Sequence, residues 1–346
     1  MLDAVGPAKA IAALQQPTAA TARTVAEQIE HHIDHLTGVE AGTISDYRTY
    51  LHRDIAPHVG TLPLPLFKRD DVADWVNKMD RDRGLSAKSI RNRHSLISAA
   101  MRSAVRDELI VVNPAEGVRM PSRDHEAEEM VTLTLREVWD FTQATKDHWR
   151  PMVLFLFGTG VRFGEASALR VKDVNLEAGH ARIRQAWKHT DGNGYRLGTT
   201  KSKRSTRTIV FGRDVAAAIR PLAEGRPAED FVFTNTRGGV VRHSNFHEDV
   251  WQNALHAFAG DTLVKTPTRG RPKLSWLPGP GKRPRPHDAR HTYASLQISR
   301  GMSMAFLQRQ LGHENINTTI STYTHLQTAD LAVLSDVIDR PLELEP

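Results

Sequence analysis

Two histidines, an arginine and a tyrosine stand out within Arg285–Leu326, RPHDARHTYASLQISRGMSMAFLQRQLGHENINTTISTYTHL. Pro286 suits the first position of a helix, and a helix begun there puts His287 and Arg290 three residues apart on one face near its N-terminus. Gly301 breaks that helix. Ser303 can cap a second one with Met304, Leu307 and Leu311 along one side, and Gly312 can end it in a left-handed turn that presents His313. Asn317 or Thr318 opens a third helix carrying Tyr323, one of 5 tyrosines in the chain. Imidazoles, a guanidinium and a phenol gathered this way suit phosphoryl transfer, where the protein positions a nucleophile and stabilises charge on non-bridging oxygens. Tyrosine can itself be that nucleophile.

The pattern HxxR (His287 to Arg290), then LGH (Leu311 to His313), then Tyr323 resembles the C-terminal signature of the tyrosine recombinases, the family of the phage integrases. Further upstream, PMVLFLF from Pro151 reads as a buried helix that stops at Gly158 to Gly160, and VRFGEASALR opens another. Arg162 falls in its first turn with Glu165 three residues on, close enough to hold the guanidinium. An RxxE pair alone is most often a surface ion pair. The resemblance implies that Arg162 is the first catalytic arginine and Glu165 its acidic support.

Ala181 to Phe211 reads as a small antiparallel sheet, because ARIRQAW and STRTIVF alternate and DGNG (Asp191 to Gly194) is a turn signal. Between its second and third strands lies GTTKSKRST, whose Lys201, Lys203 and Arg204 suit an ordinary solvated tip. The resemblance implies a catalytic lysine in this hairpin, matched best by Lys201 with Lys203 as the fallback, and DNA contact by Lys203 and Arg204.

The resemblance covers roughly residues 24–330 and aligns six roles, Arg162, Lys201, His287, Arg290, His313 and Tyr323, in the family's order. It implies a reaction needing neither metal nor cofactor. Arg162 and Arg290 would neutralise phosphate oxygens and His313 would add a hydrogen bond. His287 would assist proton transfer at Tyr323, and Lys201 would protonate the departing 5′ oxygen. The 3′-phosphotyrosyl product conserves the bond energy, so rejoining needs no ATP.

Composition sets the outer bounds of these readings. The chain's 346 residues suffice for about two domains. Net charge is +6 and the sequence pI near 9.6, which fits a polyanionic partner. Lys265 to Arg290 carries eight Lys or Arg against the single Asp288. With no cysteine, disulfides, thiolate metal sites and cysteine nucleophiles are excluded. No apolar run reaches the roughly 20 residues of a membrane span and no signal-peptide core stands at the N-terminus. A cytoplasmic, nucleoid-associated protein of a bacterial host is the expectation.

Four helices are expected to precede the catalytic region. TVAE at Thr24 has the capping-box form, and Val25, Ile29, Ile33 and Leu36 follow at helical spacing. A second helix carries Ile44, Tyr47 and Leu51 and stops before Pro57, and a third from about Asp70 buries Val72, Trp75, Val76 and Met79. The fourth runs from the Ser86 cap to about Asp107. Its Ile90, Ile97, Met101 and Ala104 lie on one side, while Lys88, Arg91, Arg102 and Arg106 share a narrow sector opposite. A solvated face is the ordinary meaning of such a stripe, but solvated faces usually mix signs, so contact with the DNA backbone is the reading adopted. Arg93 lies nearer the apolar side and does not fit the stripe.

Pro114, Pro121 and the acidic segment Asp124 to Glu129 mark a boundary, after which TLRE (Thr134 to Glu137) reopens a helix. Gly260 to Pro286 reads as one long loop. The expected organisation is a tail over 1–22, a helical SAM-like core-site DNA-binding domain over 23–121, a linker over 122–131, a catalytic domain over 132–327 and a terminal segment over 328–346. The fold class is mainly α with a small antiparallel sheet: an all-helical N-terminal domain plus an α+β catalytic domain. Ala329 to Ile338 places Leu331, Leu334 and Val337 along one stripe, and the resemblance implies that such a segment docks on the next subunit of a tetramer on DNA.

Double-stranded DNA at core-type attachment sites is the expected partner, with a host bending protein and an excisionase as further partners and no membrane. The activity expected is site-specific recombination, integrating or excising a phage or mobile element. Three alternatives compete. A type IB topoisomerase would share the chemistry, and a non-catalytic DNA-binding protein would use these residues structurally. A zinc metalloprotease would employ His287 and His291, but HDARH has Asp288 where that motif needs Glu.

Overall fold

The computed structural model describes residues 22–121, 130–190, 194–199, 206–266 and 273–313, and the chain divides near Ala127 into two compact units. The first unit is built from helices. Helix α1 (Val25–Asp34) starts at a capping box, in which the Glu27 N–H donates to Thr24 Oγ1 at 3.3 Å and the Thr24 N–H to Glu27 Oε2 at 2.8 Å. It buries Val25, Ile29 and Ile33 with Ile90, Leu96, Ile97, Ala100, Met101 and Ala104 of α4 (Ala87–Arg106). The buried Gln28 amide is satisfied by the Ala100 carbonyl and Ser103 Oγ.

Helix α2 (Ala41–Tyr50) does not stop before Pro57 as expected. It widens into a π turn over Leu51–Ile55 and resumes over Ala56–Val59. Pro57 sits in the first turn of that last piece. The π turn also aims Asp54 inward. Its fully buried carboxylate accepts from Arg93 Nε at 2.6 Å and Arg83 Nη2 at 3.0 Å, and the Arg93 guanidinium lies 4.3 Å from the Tyr50 ring centroid. Helix α3 (Arg69–Arg81) adds Val72, Trp75, Val76 and Met79, with Trp75 Nε1 donating to the Asp54 carbonyl at 2.8 Å.

Arg93 therefore leaves the basic stripe because it is the partner of a buried acid. Lys88, Arg91, Arg102 and Arg106 are all exposed on α4, and none has an ion-pair partner among the described residues.

The second unit begins with α5 (Leu135–Ala144), opened by the expected capping box between Thr134 and Glu137. Helix α6 (Arg150–Thr159) is apolar nearly all round, and it packs against α5, α8 (Arg213–Ala223) and α10 (Asp288–Ile298). Gly160 ends it in a left-handed conformation, φ 67°, and the short α7 (Phe163–Ala166) follows. The strand expected over Ala181 to Trp187 breaks at Arg184. Antiparallel β1 (Val174–Asn175), β2 (His180–Ile183) and β5 (Arg207–Val210) form one sheet in the order β1-β2-β5, while β3 (Gln185–Thr190) and β4 (Gly194–Thr199) form a separate hairpin. Ala181 faces Ile209 and Ile183 faces Arg207 across the β2–β5 ladder, with alternate residues buried.

The stretch Gly260 to Pro286 is not a plain loop, because it contains an antiparallel hairpin, β6 (Thr262–Thr266) and β7 (Lys273–Leu277). It follows α9 (Gln252–Ala259), and its base is fixed by Asp261, which accepts from His256 Nδ1 at 2.6 Å, the Gly279 N–H at 2.7 Å and the Arg283 fork. Trp276 stacks on the His256 ring at 4.1 Å. Helix α11 (Met304–Leu311), capped by Ser303 and ended by Gly312 as expected, completes the described chain.

Replacing Arg93 by Met should lower the unfolding free energy by roughly 2–3 kcal/mol. This is less than the 3–5 kcal/mol of a buried charge left alone, because Arg83 still reaches Asp54. Urea unfolding measures it, and a change below about 0.5 kcal/mol would mean that Asp54 is solvated without Arg93.

Candidate active site

The end of α6, the start of α7, strand β5, the start of α10 and the end of α11 bring the chemical residues together. Arg290, buried in α10, donates from Nη1 to the Gly160 carbonyl and from Nη2 to the Leu311 carbonyl, both at 2.9 Å. Each carbonyl lies two residues before a site residue, Arg162 in one case and His313 in the other. Gly160 has no substitute here: its φ is positive, and a β-carbon would lie 2.7 Å from the Tyr293 ring and 2.8 Å from Leu311.

Arg162 is the residue that caps α7, one step outside the helix turn in which it was expected. Its N–H donates to Glu165 Oε2 at 3.0 Å and its Nη1 to Oε1 at 3.1 Å. The exposure is asymmetric: the Arg162 side chain is 44% exposed and Glu165 only 3%. The acid is thus an anchor and the guanidinium is presented outward. Burial pushes the Glu165 carboxyl up, but the Arg207 fork, then the Arg162 N–H and charge, outweigh it and hold it below the ordinary carboxylate range.

His287 stands at the N-cap of α10, and the helix proper begins at Asp288. Asp288 is fully buried and accepts from the Arg285 N–H at 2.7 Å, which ties the incoming segment to the helix. His287 and His291 meet edge to face with centroids 5.1 Å apart. Among the described residues no group of three or more His, Asp or Glu is arranged to hold a metal.

His313 follows the left-handed Gly312, its N–H donating to the Gln308 carbonyl at 3.2 Å and its own carbonyl accepting from Gln308 Nε2 at 3.1 Å. Desolvation, then the charges of Arg290, Arg162 and Arg207, lower its pKa to about 4. His287 lies at the solvent-facing rim, yet partial burial of its ring, then His291, Arg290 and Arg162, also lower its pKa to about 4 against the opposing pull of Asp288. Both imidazoles are therefore neutral at pH 7, beside two or three guanidiniums. The guanidiniums suit an anion, and the neutral imidazoles can take or give a proton without adding to the cationic repulsion.

Tyr293, the tyrosine within α10, is buried against Gly160 with its pKa pushed up to about 12 by burial, which suits a core residue and not a nucleophile. Tyr323, Lys201, Lys203, Arg204 and the stripe from Leu331 to Val337 lie outside the described residues.

Two residues of the site were not read from the sequence. Arg207 in β5 donates from both Nη atoms to Glu165 and from Nε to the Gln310 carbonyl. Gln310, 2% exposed, closes its amide on the Val210 N–H and on the Val210 and Thr159 carbonyls. A signal for Arg207 existed: in RTIV it shares the apolar face with Ile209, and an inward arginine requires an acid.

A helix-rich catalytic unit with small antiparallel sheets, holding two arginines and two neutral histidines around one pocket, defines an enzyme of the tyrosine recombinase class. The comparisons agree. The sequence profile of the phage integrase family matches residues 126–330, and the chain belongs to that family. The tyrosine recombinase XerD of Staphylococcus saprophyticus subsp. saprophyticus is 24% identical over 320 residues, which is 89% of this chain and 96% of the relative. Among solved structures, the Tn1549 transposon integrase in complex with a circular-intermediate DNA superposes with a TM-score of 0.73 at 22% identity, covering 90% of this chain and 100% of that one. A lambda integrase tetramer bound to a Holliday junction gives a TM-score of 0.62 at 16% identity, covering 91% and 81%. The protein is a site-specific DNA recombinase that cuts and rejoins DNA strands. The topoisomerase and protease readings are not favoured.

In DNA-free protein, proton NMR should give titration midpoints near 4 for His287 and His313. Because these folded-state values lie below the unfolded one, stability present above about pH 6.5 should be lost as the pH falls toward 4, and His313→Gln should flatten that loss. Midpoints at or above about 6.5 would overturn the account of the pocket's charge.

Proposed function

We propose that the chain breaks DNA by attack of Tyr323 on a phosphodiester held by Arg162, Arg290 and His313. The Tyr323 Oη bonds to phosphorus, His287 assists transfer of the phenolic proton, and the 5′ oxygen leaves with a proton from Lys201. The 3′-phosphotyrosyl bond is then open to attack by another 5′ hydroxyl, which reverses the step on the same or a different strand. No metal is needed, since the guanidiniums occupy the role of a cation at the non-bridging oxygens. The observation that supports this reading is the pair of hydrogen bonds that Arg290 donates to the Gly160 and Leu311 carbonyls, each two residues before Arg162 or His313.

Residues 23–121 serve as a core-site DNA-binding domain and 132–327 as the catalytic domain, joined by 122–131, with 1–22 a tail. The exposed Lys88, Arg91, Arg102 and Arg106 lie against phosphates, as do Lys203 and Arg204. The working form is a tetramer on DNA at paired attachment sites, with residues 328–346 exchanged between subunits, and the biological outcome is integration or excision of a phage or mobile element in a bacterial cytoplasm, at the nucleoid. A host bending protein and an excisionase are the accessory factors such a reaction would use.

Tyr323→Phe should bind target DNA with unchanged affinity and form no covalent complex on a suicide duplex, while wild-type protein should form it in EDTA as well as in magnesium. Denaturing gels decide: a covalent band in the variant displaces the nucleophile, and loss of the wild-type band in EDTA sinks the metal-free reaction.

For the basic face of α4, neutralising Arg91 or Arg102 should weaken binding to specific and nonspecific DNA alike and reduce the slope of log affinity against log salt by about one unit each. An unchanged slope returns that face to solvent.

A further inference from the structure

We propose that Arg207 is a positioning residue for the strand-cleavage step, setting Arg162 and His313 together from behind the pocket. The inference rests on the reading of Arg162 and His313 given above. Arg207 cannot touch DNA itself, because its side chain is only 6% exposed. Both oxygens of Glu165 are shared between two arginines. Oε1 accepts from Arg207 Nη1 at 3.0 Å and Arg162 Nη1 at 3.1 Å, and Oε2 from Arg207 Nη2 at 2.8 Å and the Arg162 N–H at 3.0 Å. The fork from below therefore fixes the plane of the carboxylate that orients the outward arginine.

The same guanidinium reaches the other half of the pocket. Its Nε donates to the Gln310 carbonyl at 2.8 Å, three residues before His313. Gly312 lies directly on it: a β-carbon there would sit 2.9 Å from Arg207 Nη1 and 3.0 Å from its Cζ, at a φ of +70°. The turn that presents His313 is thus shaped over Arg207. One planar group with donors on three nitrogens serves both connections, which a lysine ammonium on a flexible stem cannot reproduce. Arg207 thus reaches the immediate neighbours of both site residues, Glu165 beside Arg162 and the Gln310–Gly312 turn before His313.

The test uses the full chain with Arg207→Gln and Arg207→Lys, measuring covalent-complex formation on a suicide duplex at saturating DNA, with affinity and thermal unfolding alongside. For both variants the dissociation constant should stay within about threefold of wild type, while the cleavage rate falls about a hundredfold for Gln and less for Lys, the scale expected when a reacting group is misplaced by about an ångström. Adding Glu165→Gln to Arg207→Gln should cost little beyond the worse single variant, because the two act as one unit.

The Gln variant should also gain a pH dependence that wild type lacks. Without Arg207, burial raises the Glu165 pKa, so cleavage by the Gln variant should recover as the pH is raised. A cleavage rate within about threefold of wild type, or singles whose effects multiply in the double variant, overturns the proposal. If the Gln variant fails to fold, the Lys variant is read by the same criteria. Failure of the nucleophile assignment is distinguishable, since a Tyr323→Phe protein that still cleaves leaves the Arg207 dependence to be read on its own.

Discussion

Two hydrogen bonds from one guanidinium hold this site together. Arg290 reaches Gly160, 130 residues earlier in the chain, and Leu311, 21 residues later, so three segments that share no secondary structure are fixed at one buried point. Both acceptors are carbonyls at the ends of helices, where four such groups per helix have no intrahelical partner. A buried charge with good donors satisfies them. The arrangement closes both helix ends and ties a buried positive charge to them.

A carboxylate facing a phosphate would repel it, and among the described residues the acids near the site face away: Glu165 is turned to Arg207 and Arg162, and Asp288 to Arg285. Burial, and then the surrounding cationic charge, lower the pKa values of both histidines and keep them neutral near physiological pH. A phosphate entering the pocket would reverse that bias, raising both imidazole pKa values as it supplied the missing negative charge.

Much of this was legible in the sequence because it rests on local rules. The caps at Thr24, Ser86, Thr134 and Ser303 and the left-handed Gly312 are each a few residues long and read from residue type. The spacing of His287 and Arg290 and the pairing of Arg162 with Glu165 are equally local. What escaped needed a partner far away in the chain. Arg93 looked misplaced until Asp54, 39 residues earlier, supplied its acid. Arg207 looked like one more basic residue after a basic loop until Glu165, 42 residues earlier, claimed it. The β6–β7 hairpin was hidden differently, since Pro and Gly between its strands outweighed a short alternation.

Asp54 and Glu165 carry the same lesson about reading charge. Each is a carboxylate with almost no exposure that binds more than one arginine, and in each case the arginines divide by depth. Arg93 is 11% exposed and Arg207 6%, so both act from the interior; Arg162, at 44%, faces solvent with its geometry already set. The cost of burying such a carboxylate is recovered only when several donors surround it. Surplus donors then extend outward as ordered positive charge. In a chain of net charge +6, the count of basic residues says little about where polyanions bind. The informative positions are those where a buried acid has one arginine more than it needs, because there the outer guanidinium is both charged and preorganised.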